Sequence, residues 1–257
     1  MNRTWQHSLA APLFYGLLIV GWQTLVWCDV FPAYVLPSPT MVLRRLVELS
    51  SDGLLWPSLK ATLTRMFVGF GLSVCLGLFF GLLMGSLAPV RRALRGFFTG
   101  LQTLPSAGWV PIALLFFGLQ DTAIYFVIVM SSVGAVALAV SDGIAHIPPV
   151  LIKAAQTLGT PRSAMWWQVM LPSALPNMVT GLKLGWTMGW HGTVSAELIK
   201  SAIGLGFLLH MGRELSDTAQ VLAIMVVTIA VGAMIDRCVF TPLERRLRLR
   251  WGLTTAE

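Results

Sequence analysis

MFVGFGLSVCLGLFFGLLMGSLAPV (residues 66–90) carries no charged side chain, and Arg65 and Arg91 bracket it. A helix rises about 1.5 Å per residue and the hydrocarbon layer of a bilayer is about 30 Å thick, so about 20 apolar residues cross it. Residues 62–87 are therefore predicted to span a membrane. Working outward, charge-poor intervals predict further spans at 11–28, 102–119, 122–141, 175–199 and 218–240, the one at 175–199 interrupted by Lys183 and closed by Glu197. The expected fold class is all-α, a polytopic membrane protein of about six transmembrane helices.

Composition supports this reading. Of 257 residues, 56% are hydrophobic and only 11% charged. A soluble domain carries about 25% charged residues, so an ordinary soluble enzyme and a disordered chain are both excluded. A net charge of +7 would point to nucleic acid in a soluble protein. Here the basic residues fall between apolar runs, where they orient a membrane protein, and no nucleic-acid partner is expected. The first run is too long for a signal-peptide core, and Trp27, Cys28 and Asp29 follow it instead of a small-residue cleavage site. It reads as a retained helix.

With the N-terminus in the cytoplasm, the inner side receives Arg3, Arg91, Arg92, Arg95, Lys153, Arg162, Arg237, Arg245, Arg246, Arg248 and Arg250. The outer side receives Arg44, Arg45, Lys60, Lys200 and Arg213. This bias predicts that both termini are cytoplasmic. Cys28, Cys75 and Cys238 stand alone and read as packing residues, with no disulfide or zinc spacing. His7, His146 and His210 likewise lack ligand spacing, so no metal or cofactor is expected.

Outside the spans, Ser38-Pro39 is predicted to open a short outer helix, with Ser38 as N-cap and Pro39 at the first helical position. Val42, Leu43, Leu46, Val47 and Leu49 form its apolar stripe, and it ends near Asp52-Gly53. The chain then divides into residues 1–61 (first helix plus outer amphipathic helix), a transmembrane core over 62–240, and a basic cytoplasmic tail over 241–257. Arg and Leu alternate in Glu244–Trp251, which is expected to lie against inner headgroups. Two glycine ladders, Gly77/Gly81/Gly85 and Gly181/Gly185/Gly189, each put their members on one helix face. They serve either close packing within the chain or a contact between subunits.

The segment DGIAHIPPVLIKAAQTLGTPRSAMWWQVMLPSALP (142–176) is too polar at its start to span. It reads as two short inner-side helices at a bend. Pro148-Pro149 starts the first, and Gly159 fits the position just past its end, where positive φ costs glycine little. Thr160 is then an N-cap and Pro161 the first residue of the second helix. Leu171-Pro172 is expected to end that helix before the next span begins. A bend joined rigidly to a span is a lever.

Lys153-Ala154-Ala155, Gly159, Val169, Leu171 and Pro172 resemble the EAA loop of binding-protein-dependent ABC transporter permeases, with matching spacing throughout. Lys153 stands where that family carries Glu, a reversal of charge. The stretches 36–49, 59–86, 101–119, 181–199 and 204–218 resemble the nitrate, sulfonate and taurine branch. The resemblance implies an ATP-driven importer of a small anion in a bacterial inner membrane. It implies two paired permeases, two ATPase subunits docked on the coupling loop (142–174) and a periplasmic or lipid-anchored binding protein. Lys153, Ala154, Ala155, Leu158, Gly159, Thr160 and Arg162 are the expected ATPase-coupling residues. The third span contributes to the pathway in the family, which makes Gln102, Thr103 and Ser106 candidates there. The chain has no GxxxxGK[ST] phosphate loop, so ATP hydrolysis is expected in a partner and the chain itself is not expected to be an enzyme.

Charge within a span is costly, so Lys183 and Glu197 need an account. Lys183 either snorkels to inner headgroups or faces a pathway. Glu197 is expected to pair with Lys200 or cap nearby backbone. Thr187, His191 and Ser195 recur every fourth residue, so they share one face as candidate pathway residues. Asp29, Asp121, Asp142, Asp217 and Asp236 are expected at span edges. A carrier driven by an ion gradient is the alternative function. It predicts charged pairs at mid-membrane and an inverted repeat, neither evident in the sequence. A membrane enzyme would need a cluster of His, Asp or Glu, which is also absent.

Overall fold

The computed structural model describes residues 3–200 and 203–250, without the side chains of residues 3–12, Arg162, Ser163, Lys200, Arg248 and Arg250. Among these residues all regular structure is helical: α1 (Arg3–Trp27), α2 (Pro39–Ser51), α3 (Leu55–Ser86), α4 (Ala88–Thr103), α5 (Val110–Phe117), α6 (Asp121–Ala145), α7 (Pro149–Thr157), α8 (Arg162–Met165), α9 (Leu171–Lys200), α10 (Leu205–Glu214), α11 (Thr218–Ile235) and α12 (Thr241–Arg250). Helices α3 and α6, and α11 together with α12, are long and apolar enough to cross a membrane. Helix α9 has the length, but its polar face lowers its hydropathy. Helix α1 is apolar from Leu13 to Trp27 and leaves Leu13 to Val20 largely exposed.

Helix α6 is the centre of the bundle, with α3 on one side and α9 on the other. Both glycine ladders face it. A β-carbon at Gly77 would lie 2.6 Å from Val136 Cβ, and one at Gly81 would lie 2.6 Å from Val140 Cβ and 2.8 Å from the Ala137 carbonyl oxygen. On the other side Gly185 meets Val136 Cγ2 and the Ser132 carbonyl, and Gly181 meets Ala139. Of the two readings of the ladders, close packing within the chain is the one observed. Small residues permit this approach, and the Ser132 hydroxyl reaches Ser73 Oγ at 2.7 Å across the α3–α6 seam. Gly81→Val is expected to lose folded protein, because both a side chain and a fixed carbonyl occupy the space it needs; overpacking costs about 1–3 kcal/mol. Gly100→Ala is its control, since nothing lies within 4 Å of a β-carbon there. Detergent-solubilised yield and melting temperature read the difference.

Helix α2 forms as expected, with Ser38 accepting a hydrogen bond from the Met41 amide and Gly53 closing it at φ +71°. Val42 and Leu49 are buried, whereas Leu43 and Val47 are exposed. Arg45 ties α2 to the start of α11, its Nε 2.7 Å from Asp217 Oδ2 and a terminal nitrogen 2.9 Å from Gln220 Oε1.

The structure departs from several expectations. The predicted span at 102–119 is a broken pair. Helix α4 and the Ser106–Phe117 stretch meet at 101°, because Pro105 forces Leu104 into extended backbone. Leu171-Pro172 does not end a helix. A π-turn at Trp166–Met170 lets the Leu171 amide reach back five residues to the Trp166 carbonyl, and α8 runs on into α9. A second π-turn at Asp236–Phe240 does the same before Thr241-Pro242, joining α11 to α12. In each, the wider turn makes room for a proline that has no amide to donate. Asp236 therefore lies inside a long helix and not at a helix end. The tail, in its described part, continues that helix. The three cysteines, read as packing residues, are exposed on the single chain.

Candidate functional site

The bend forms as the residues dictate. Helix α7 closes with the Thr160 amide donating to the Ala155 carbonyl at 3.1 Å and the Gly159 amide to the Gln156 carbonyl at 3.0 Å. This paired pattern needs a left-handed residue at its turn, and Gly159 supplies it at φ +76°. The expected N-cap is corrected: Pro161, in extended backbone, takes that position ahead of Arg162, and no side chain caps the helix. Thr160 is instead part of the closure of α7. Ala155 is buried beneath the bend, while Lys153, Ala154, Gly159 and Leu158 are exposed, Leu158 at 85%. Val150 and Trp167 add further exposed apolar surface. The Arg162 side chain lies outside the described residues. The α7–α8 bend therefore presents an apolar surface with one lysine, on a helix that continues through a π-turn into α9.

Thr187, His191 and Ser195 come together as the spacing predicts. They line one hollow of about 600 Å³ between α9 and α11, whose other walls include Trp190, Thr228 and Gly232. Trp186 backs it, its ring 5.3 Å from Phe67, 5.2 Å from Phe70 and 6.0 Å from Phe240. Lys183 Nζ lies 3.0 Å from Asp236 Oδ1, and Asp236 is among the residues lining the hollow. Gln102, Thr103 and Ser106 lie elsewhere. Gln102 packs by Gly134 on α6, Thr103 donates to the Gly100 carbonyl, and Ser106 opens the short turn after the α4 break.

The structure also assembles a polar node that the sequence reading did not foresee. Glu197 is fully buried and accepts from Thr62 Oγ1 at 2.7 Å, Arg65 at 2.9 Å and the Gly206 amide at 3.2 Å. Arg65 also reaches the Ile203 carbonyl at 2.6 Å and Asp121 at 3.2 Å. The expected partner Lys200 has its side chain outside the described residues; the expected capping of backbone is realised at Gly206. Glu197 thus clasps α3, α9 and the start of α10 together. At the opposite end of α6, Arg95 pairs with Asp142. Helix α6 is about 37 Å long, so the node and the bend lie at opposite ends of the bundle.

Membrane-length helices around a packed centre, a mostly apolar hollow with a few polar groups and an exposed bend fused to a long helix are the architecture of a membrane transport subunit. The chain belongs to the family described as binding-protein-dependent transport system inner membrane component, which matches residues 73–249. It is 33% identical to the taurine transport system permease protein TauC of Escherichia coli (strain K12), over 95% of this chain and 91% of that one. It is 30% identical to the putative aliphatic sulfonates transport permease protein SsuC of Bacillus subtilis (strain 168), over 96% and 88%. It is 27% identical to the nitrate import permease protein NrtB of Synechocystis sp., over 86% and 83%. In fold it is similar to a chain of the MetNI methionine ABC transporter in inward-facing conformations, at TM-score 0.61 and 19% identity over 72% of this chain and 92% of that one. It is therefore a multi-pass inner-membrane permease subunit of an ABC importer, and family membership brings ATPase and substrate-binding partners with it.

Proposed function

We propose that this permease carries a small anion, of the sulfonate, taurine or nitrate-like kind, by alternating access. Two copies pair, an ATPase subunit docks on each bend around Gly159, and a periplasmic or lipid-anchored binding protein delivers the solute. Both termini and the bend face the cytoplasm, and the Glu197 node faces the periplasm. The observation that carries this reading is continuity: the exposed bend runs through one π-turn into the helix whose Thr187, His191 and Ser195 line the hollow. Closure of the ATPases on the bend then moves the wall of the pathway. Lys153, Ala154, Leu158, Thr160 and Arg162 form the docking surface, with buried Ala155 supporting it from beneath. Lys153, where the family carries Glu, calls for an acidic partner group. Gln102, Thr103 and Ser106 join the pathway from the broken α4–α5 pair. Intramembrane charge is also a mark of gradient-driven carriers, and energy source separates the two readings. ATP depletion is expected to stop uptake in proteoliposomes, while a protonophore leaves it unchanged.

His191→Ala tests the wall directly. Reconstituted with ATPase and binding protein, it is expected to lower the uptake rate by about five-fold, the worth of one hydrogen bond, with the complex still assembled. Uptake equal to wild type removes His191 from the pathway.

A further inference from the structure

Helix α4 turns a different kind of residue to each side. Val90, Leu94, Phe98 and Leu101 pack inward with Met84, Val133 and Ala137. Phe97, and Leu104 just past the helix end, stand exposed on a second side. Arg91, Arg92, Arg95, Gly96 and Thr99 share a third by their helical spacing and line an open hollow of about 590 Å³. Among the described residues this basic stripe is not neutralised. Arg95 holds Asp142, with one contact at 3.2 Å, whereas Arg91 and Arg92 have no acidic partner. No acid stands in the first turn of α4 to offset them.

The depth of the stripe follows from its neighbours. The charge-free run of α3 ends at this corner, and Arg91 is the first charge after it. Ser86, the last residue of α3, lines a second hollow with Trp166 and Trp167. Tryptophan collects where membrane helices meet the headgroups. The stripe therefore stands at headgroup depth, on the side of the membrane that carries the α7–α8 bend, with exposed Phe97 beside it.

Charge decides what can cover it. The planar fork of arginine takes two oxygens of a phosphate at once. A second copy set on this face by a two-fold axis would bring the same cations and be repelled. Nothing lies within 4 Å of the place of a β-carbon at Gly96, so the middle of the stripe is open, and Thr99 adds a hydroxyl to the lining.

We propose that this stripe binds the headgroup of an anionic phospholipid, with the phosphate diester held by Arg91 and Arg92 and the acyl chains lying along Phe97, while the Arg95–Asp142 pair fixes α4 to α6. The site rests on the membrane placement of the chain and is the same whichever solute the permease carries.

The test titrates the permease–ATPase complex, purified in a neutral detergent, with phosphatidylglycerol and with phosphatidylcholine of matched acyl chains, and native mass spectrometry counts bound lipid and subunits. An arginine beside an anionic headgroup is worth about five-fold in affinity, so the wild type is expected to prefer phosphatidylglycerol by about 25-fold. Arg91→Gln with Arg92→Gln is expected to bring that ratio close to one, with phosphatidylcholine binding kept. Lys60→Gln with Arg213→Gln removes the same charge elsewhere and is expected to leave the ratio unchanged. Gly96→Leu keeps every arginine, fills the hollow without a clash inside the chain and is expected to lower phosphatidylglycerol affinity alone. Equal wild-type affinity for the two lipids overturns the proposal and requires no variant to fold. So does an equal loss in the Lys60/Arg213 control, which would make the preference one of overall charge. If glycerol 1-phosphate binds as tightly as phosphatidylglycerol and displaces it, the occupant is a soluble phosphate and the lipid site fails. If the Arg91/Arg92 variant sheds its ATPase subunits with the lipid ratio unchanged, the stripe receives a protein and the lipid site fails. No readout involves solute uptake, so each of these failures leaves the permease reading standing.

Discussion

Gly159→Asp is expected to leave a folded, membrane-inserted permease whose uptake is lower by about ten-fold or more, while its ATPase partners hydrolyse ATP without regulation by the binding protein. The argument has two parts. At φ +76° a residue with a β-carbon is strained by about 1–2 kcal/mol, and Asp is among those that tolerate the conformation best. No atom of the chain lies within 4 Å of the position a β-carbon would take, so the substitution meets no clash at home. The loss is therefore expected to arise outside the chain, where a carboxylate is added to the exposed surface of Leu158 and Lys153 that is proposed to receive the partner. Gly159→Ala carries the same strain without the charge and is expected to fall between. Uptake and ATPase rates from one proteoliposome preparation check both. Wild-type coupling in Gly159→Asp would mean that the bend is not where force enters.

Arg65→Ala is expected to have the largest effect on stability. Among the described residues it removes the only cation in contact with Glu197, whose carboxylate has no exposure to solvent and there keeps Thr62 Oγ1 and the Gly206 amide. Removing one partner of a buried ion pair costs about 3–5 kcal/mol. For a chain of this size that lowers the melting temperature by roughly 10 °C. Arg65 also holds the Ile203 carbonyl and Asp121, so three connections are lost with one side chain. Arg65→Lys keeps the charge but not the planar fork and is expected to recover part of the loss. Scanning fluorimetry of the purified complex measures it, and an unchanged melting temperature would show that the node carries no net stability.

The features legible in the sequence are those set by neighbours along the chain. The charge-poor run from Arg65 to Arg91 located α3, Ser38-Pro39 located the start of α2, and Gly159 located the bend, because solvation, capping and positive φ act over a few residues. The four-residue recurrence of Thr187, His191 and Ser195 placed them on one face for the same reason. What was not legible depends on contacts distant in sequence. Arg65 and Glu197 are 132 residues apart, and neither position hints at the other. Nothing local to Asp236 shows that a π-turn carries the helix past Thr241-Pro242. Pro105 announced a break, but an apolar run gives no sign of a 101° turn. Thr160 is a good N-cap by residue type, but closure of α7 used its amide and left Pro161 to open α8.

The two seams of α9 differ in free volume. Toward α6 the glycines leave no gap, and Gly181 and Gly185 sit against side chains and carbonyls of the neighbour. Toward α11 there is a hollow. A filled seam resists slippage and a hollow one yields, so under the transport reading proposed above α3, α6 and α9 are expected to tilt as a single block, with the displacement absorbed along α11. If the hollow is the compartment for the cargo, it then coincides with the shear plane of the molecule, and its occupant sets how far the block can travel.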